Sequence, residues 1–324
     1  MARQFKADRP GATIIVVENG ETVFRKAYGM ADMERGVAMR PEMNLRIGSM
    51  TKQFTAAAIM LLAERGLLSL GDDIGKYLPA YANQKPAISI ENLLTHTSGI
   101  VNFTGMADFR SIERKEMTGP QMIDFIRRAP PEFRPGERWA YSNSGYYLLG
   151  LIIEEVSGMK YAAFLEQNIF EPLQMKHTFY DDDQEGESDR ANGYTLAKRR
   201  VEKADVISLS IPFAAGALRS SVDDLARWDN AITQGKLLQA ESWKRMSTPY
   251  RLASGRSSGY GYGFFLKKAA GRNVIEHGGD INGFSADAIR IPSSGLYVAI
   301  LTNCDVQDPD VPTIAEKVVA VLLP

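Results

Sequence analysis

Cysteine is nearly absent from this chain of 324 residues: Cys304 is the only one. That excludes an intrachain disulfide and any cysteine-rich zinc site. The thiol follows an apolar run in AILTNCD, a strand-like context that predicts a buried, inert sulfur. Histidine is almost as scarce. Only His96, His177 and His277 occur, none at metal-ligand spacing from another, and there is no C-x-x-C. No metal and no cofactor is implied. An excess of one charge is also missing. The 38 Lys and Arg against 39 Asp and Glu leave a net charge of -1, so no broad field favours nucleic acid as a partner. The basic run Lys198–Arg199–Arg200 reads as a solvated loop. Long hydrophobic runs are lacking as well. None approaches the roughly 20 apolar residues that a bilayer span needs, so no integral membrane segment is expected. The opening MARQFKADRPGATIIVV has no apolar stretch followed by a small-residue cleavage site. As written, the chain reads as cytoplasmic, and as periplasmic or secreted if a leader has been removed.

What is present suits a folded protein. The hydrophobic fraction is 44% and the charged fraction 24%, ordinary for a globular chain long enough for one large fold or two joined domains. Thr13 to Val17 is a β-branched apolar run, and Asn19-Gly20 before ETVFRKAYG predicts a tight hairpin. LRIGS reads as a short strand entering a helix over Lys52 to Arg65, which Gly66 stops. Further helices are predicted after Ser89, whose capping pattern uses Asn92, over Pro120–Arg128, over 144–158 and over Tyr161–Phe170. Residues 181–205 are charged and irregular, an exposed excursion with local strands. LARWDNAITQG predicts a helix. YGYGFFLKK, NVIEHGG, GFSADAIRIP and LYVAILTN predict strands, and Pro312–Leu323 a closing helix. Strands thus stand at both ends with helices between. The expected fold class is α+β, with one antiparallel sheet flanked by the helix after Ser49 and the terminal helix. The expected units are a discontinuous sheet domain, 1–75 with 208–324, and a mainly helical domain, 76–207, with the active site at their interface.

Ser49 and Lys52 in GSMTK stand three apart at that helix start, on one face of a turn. An N-cap serine and a surface lysine would satisfy the same pattern. A nucleophile with its base is the alternative, because a serine hydroxyl needs a group to take its proton. A G-x-S-x-G elbow is absent, and no histidine follows His277 to complete an ordered triad. A lysine kept neutral by burial could act as the base. Tyr141 and Asn143 in YSN could relay a proton and hold an amide, although a packing aromatic reads the same way. HGG at 277–279 lets a substrate approach the backbone, or is simply a turn.

GSMTK, YSN and HGG together, in that order, resemble the three motifs of serine hydrolases related to class C β-lactamases. That group includes penicillin-binding proteins, D-amino-acid peptidases and carboxylesterases. The likeness extends to LLTHTSGI, FRPGERWAYSNSGYYLLGLIIEEVSG and HGGDINGFS, and covers nearly the whole chain. It implies the β-lactamase/transpeptidase-like fold. It implies Ser49 as the acylated nucleophile, Lys52 as its partner and Tyr141 as the group that takes or relays the proton. It further implies Asn143 as a contact to Lys52 and the acyl chain, His277 and Gly279 as the supporting third motif, and the N–H groups of Ser49 and Asp280 as the oxyanion donors.

The motifs depart from a class C β-lactamase, whose third motif begins with lysine and whose second commonly reads Y-A-N. A histidine near its reference pKa is only partly charged at neutral pH, which weighs against an anionic β-lactam. A carboxylesterase acting on small neutral esters is therefore the first expectation. The alternatives are a D-amino-acid peptidase or amidase acting on a peptide-like substrate, a weak β-lactamase, and a penicillin-binding protein. The oligomeric state is left open. His96 reads as a structural hydrogen-bonding residue and His177 as surface or packing. Phe103, Phe213 and Tyr260 read as core aromatics that could also line an acyl pocket.

Overall fold

The computed structural model describes residues 1, 4–181, 189–198, 200–269 and 271–323. The hairpin forms as Asn19-Gly20 predicts. Both residues adopt positive φ, 50° and 86°, which a tight two-residue turn requires. It joins β1 (Ala12–Glu18) to β2 (Glu21–Tyr28). Four strands from the other end of the chain complete an antiparallel sheet: β3 (Phe265–Ala269), β4 (Arg272–Ile281), β5 (Phe284–Ile291) and β6 (Leu296–Thr302). The order is β3-β4-β5-β6-β1-β2, so the two ends meet where Ala12 pairs with Thr302 and Glu18 with Leu296.

β1 and β6 are apolar on both faces because both faces are covered. Ile15 and Val17 join Tyr297, Ala299 and Leu301 in the main core. Ile14 and Val16 join Val298, Ile300 and Ile314 in a second core under the terminal helix. The helices that matter for the site are α1 (Thr51–Glu64), α2 (Asn143–Ser157), α3 (Phe213–Gly216), α4 (Val222–Thr233) and the terminal α5 (Val311–Leu322). α5 packs on β5 and β6, and α4 on β6 and β1. α1 lies deeper, mainly against α2 and α3. That explains its nearly uniform burial, from Thr51 to Leu62, and its weak apolar stripe.

Other elements follow or refine the expectations. Ser89 and Asn92 form a reciprocal cap, and Thr118 caps Gly119–Ile126. Tyr161–Leu165 is α-helical but widens into a π-turn over Glu166–Phe170. The charged excursion carries a hairpin of Tyr194–Ala197 with Arg200–Lys203; residues 182–188 and Arg199 of that stretch lie outside those described. YGYG is a turn and not the start of a strand. Gly261 N–H bonds the Phe264 carbonyl and Gly263 has φ 76°, so β3 begins only at Phe265. Ala240–Met246 adds a helix that the sequence pattern does not announce.

The sheet reaches the Ser49 turn through an inequality of strand lengths. β3 pairs with β4 only from Arg272 to Glu276. Beyond that point β4 has β5 on one side and the turn Gly48–Met50 on the other. Two glycines permit the approach. A Cβ at Gly279 would lie 1.9 Å from the Ile47 carbonyl oxygen and 2.9 Å from Ser49 N. A Cβ at Gly48 would lie 2.9 Å from Asp280 N. Backbone cannot retreat as a flexible side chain can. We predict that Gly279→Ala destabilises the fold by about 3 kcal/mol or more, the upper range for overpacking, whereas Gly105→Ala, with open space around it, is near neutral. Urea denaturation of both variants measures this; equal midpoints would show that the strand and the turn are free to separate.

Candidate active site

Ser49 lies in a single 3-10 turn, Gly48–Met50, that runs directly into α1. This places Lys52 one turn on, with Nζ 3.0 Å from Ser49 Oγ. The same Nζ is 2.8 Å from Asn143 Oδ1 and 2.7 Å from the Ala215 carbonyl oxygen. Thr55, three residues further along α1, donates to the Ala214 carbonyl at 2.7 Å. One face of α1 therefore holds both Ser49 and α3. Asn143 is fixed in turn. Its N–H donates to Asn102 Oδ1 at 3.0 Å, and the Ser142 and Ser144 hydroxyls donate to the carbonyls of Ile100 and Val101.

Lys52 is fully buried, and its bonding partners are a hydroxyl and two carbonyl oxygens, none of them a carboxylate. Two influences on its charge oppose each other. The rings of Tyr141 and Tyr146 lie 4.9 and 5.6 Å from Nζ, which favours an ammonium by about 0.5–2 kcal/mol. Desolvating an unpaired charge costs several kcal/mol. Burial prevails and holds the Lys52 pKa well below the ordinary lysine range. A neutral amine fits its partners atom for atom: two N–H bonds for two carbonyl acceptors, and a lone pair for the Ser49 proton. Tyr141 stands over the Lys52 amine, and burial pushes its phenol pKa upward. Burial thus favours the neutral form of both groups, and of a neutral phenol and a neutral amine the amine is the stronger base.

His277 differs from its expected state. It is buried and lies behind the strand edge, with Nδ1 2.6 Å from the Gly278 carbonyl oxygen and Nε2 3.0 Å from the Tyr260 hydroxyl. Burial first, and Lys52 second, bring its pKa down to about 3. It is neutral at physiological pH, not partly charged. His96 is buried too, its Nδ1 accepting the Ser142 N–H at 3.2 Å. His177 donates its backbone N–H to Asp224. Cys304 is buried, its thiol bonded to the Val306 carbonyl.

A cleft of about 270 Å³ opens over Ser49 and Asn143. Phe103, Phe109, Ile207, Ile211, Pro212 and Ile281 form its apolar lining, and Glu113 and Asp280 are its two ionisable groups. Among the described residues, no lysine or arginine lines it. Phe103 is therefore a pocket residue, while Phe213 faces a neighbouring cavity and Tyr260 is fully buried behind the site. Glu113, Ala215 and Asn102 do not stand out in the sequence. Two of them act through groups that carry no sequence signal, a backbone carbonyl and a loop amide, and Glu113 stands in the acidic-basic run IERKE with nothing to single it out.

Comparison with known proteins bears on the family and the fold. The family model described as Beta-lactamase matches residues 1–323. Penicillin-binding protein 4* of Bacillus subtilis (strain 168) is 29% identical over 306 residues, covering 90% of this chain and 67% of its own. The octameric penicillin-binding protein homologue from Pyrococcus abyssi superposes with a TM-score of 0.83 at 31% identity, covering 97% of this chain and 73% of that one. A D-stereospecific amidohydrolase from Streptomyces sp. gives 0.78 at 28% identity, covering 91% and 90%. By the family match along its length, its α+β architecture and the company it keeps, the chain belongs to the β-lactamase family of serine hydrolases, related to penicillin-binding proteins and D-amino-acid amidases.

Proposed function

We propose that this protein is a serine amidohydrolase that forms an acyl-enzyme on Ser49. We propose further that it prefers small substrates whose acyl part carries a free ammonium group, D-aminoacyl amides and short peptides foremost. The observation that carries the chemistry is the buried, unpaired Lys52 amine 3.0 Å from Ser49 Oγ. Ser49 Oγ attacks the carbonyl carbon as its proton passes to Lys52. The oxyanion forms against the N–H groups of Ser49 and Asp280, which the glycine approach brings to one place. As the C–N bond breaks, the proton returns through the Tyr141 hydroxyl to the departing amine. Water then attacks the ester carbonyl, giving its proton back along the same path and releasing the acid with free Ser49.

Substrate class follows from the lining of the cleft. Among the described residues, Glu113 and Asp280 meet no cation there, which repels a β-lactam carboxylate and attracts an ammonium. The likeness to a D-stereospecific amidohydrolase supports the D configuration. The carboxylesterase expectation remains as a second reading. The apolar lining accepts a neutral acyl group, so small aryl esters are expected to turn over on the same serine more slowly than aminoacyl amides.

A serine-directed phosphonate probe is expected to add its mass to the wild type and not to Ser49→Ala. An unlabelled wild type would refute the acyl-enzyme. Lys52→Ala is expected to slow the acyl burst by about 10²–10⁴-fold, the usual worth of general-base help. Because the Lys52 pKa is depressed by burial, wild-type acylation should reach its plateau well below the pH at which an ordinary lysine loses its proton. It should fall as pH drops through that lowered pKa and the amine takes up a proton. A burst rate that instead climbed up to about pH 10 would mean an ordinary, solvated lysine. For substrate class, Glu113→Gln should lower kcat/KM for a D-aminoacyl anilide about 10–150-fold relative to its N-acetyl counterpart, the range for one charged hydrogen bond. An unchanged ratio would exclude Glu113 as the ammonium's partner.

A further inference from the structure

Neither His277 nor Tyr260 lines the cleft, yet both are buried against the site and bonded to each other. The bond has a definite direction. A carbonyl oxygen only accepts, so His277 Nδ1, 2.6 Å from the Gly278 oxygen, carries the ring proton. In the neutral ring Nε2 is then an acceptor, and the Tyr260 hydroxyl at 3.0 Å donates to it. Tyr146, packed on the same His96 ring, gives its own proton to the Leu94 carbonyl at 2.8 Å.

We infer that Tyr260 is a positioning residue for acyl transfer: through His277 it fixes the plane of the Gly278–Gly279 peptide, and with it the strand edge that meets Ser49. The inference rests on the acyl-transfer reading above. The Gly278 carbonyl and the Gly279 N–H belong to one rigid peptide group, so holding the oxygen holds the group. Gly279 is the residue in backbone contact with Ile47 and Ser49, and Asp280 N follows it directly. A tilt of that peptide would move the proposed oxyanion donor, and displacements near 1 Å can cost about 10²-fold in rate.

Tyr260 is itself located by the catalytic residues. Its turn presses on α1, where a Cβ at Gly263 would lie 2.8 Å from the Lys52 carbonyl oxygen. Its ring packs 4.6 Å from His96 and edge-on to Phe265 at 4.9 Å. The His96 ring lies 4.4 Å from Tyr141 and accepts the Ser142 N–H. One side chain thus touches the supports of the second and third motifs and takes its position from the first. Packing alone would not call for a hydroxyl here, since Phe264 and Phe265 beside it pack without one.

The test combines a measurement that needs no substrate with one that does. With only three histidines, ¹⁵N-histidine spectra of the resting protein can assign each ring. His277 is expected as the neutral Nδ1-protonated tautomer throughout pH 5–8. Tyr260→Phe, which keeps the ring, is expected to lower kcat about 10–100-fold with KM within about threefold. His277→Asn places an amide nitrogen near the position of Nδ1 but leaves the Tyr260 hydroxyl without its acceptor, so it should lose no more than Tyr260→Phe, about 10–100-fold. His277→Gln reaches toward Nε2 instead and should lose about 100-fold. An Nε2-protonated ring, a wild-type kcat in Tyr260→Phe, or Gln outperforming Asn would each overturn the inference. A protein that fails to acylate at all would defeat the acyl-transfer reading instead, while the tautomer would still judge the clamp.

Discussion

The whole site depends on keeping one amine dry without a counter-ion. Lys52 is enclosed on every side and bonds no carboxylate. An apolar shell would only have made it costly to bury. A carboxylate would have restored its charge. The structure takes a middle course, with two carbonyl oxygens that satisfy N–H bonds without stabilising a full positive charge as an anion would. The surrounding elements serve that condition. α2 brings Asn143, α3 brings Ala215, and the aromatic rings of Tyr141 and Tyr146 close the remaining space.

This explains why α1 is buried all round and not amphipathic. A helix at the surface could place Ser49 in a cleft, but it would leave Lys52 wet. By lying between the sheet-side elements and α2, α1 keeps its first turn buried behind Ser49, which opens on the cleft, while its second turn grips α3 through Thr55. The sheet contributes through an unpaired edge. Because β3 is half the length of β4, the backbone of the HGG segment is free to meet the serine turn.

Features written in local chemistry are legible in the sequence. Asn19-Gly20 states its own turn geometry, Ser89 and Asn92 state a cap, and the apolar run LYVAILT states a buried strand. The three motifs, taken together, point to the family and to Ser49, Lys52, Tyr141 and Asn143. What stays hidden depends on distant parts of the chain. The Ala215 carbonyl looks like any other carbonyl. Tyr260 reads as a strand residue until Gly263 is seen against α1. The charge state of His277 is fixed by burial beneath β3 and the aromatic cluster, so the reference pKa of histidine misleads. Glu113 is singled out only by the fold, which turns it toward the cleft, while its neighbours Arg114 and Lys115 are exposed.

The pairing of β1 with β6 also governs how the protein comes into being. Ala12 finds its partner at Thr302, so β1 stays without one neighbour until β6, far along the chain, has been made. Contacts this distant in sequence close slowly, because the loop between them must be ordered first. Through that interval the edge of β1, apolar on both faces, has only the β2 hairpin beside it and is open to pairing with other chains. Ser49 precedes β4 and β5 by more than two hundred residues, so the strand edge it meets is assembled long after the turn that carries it.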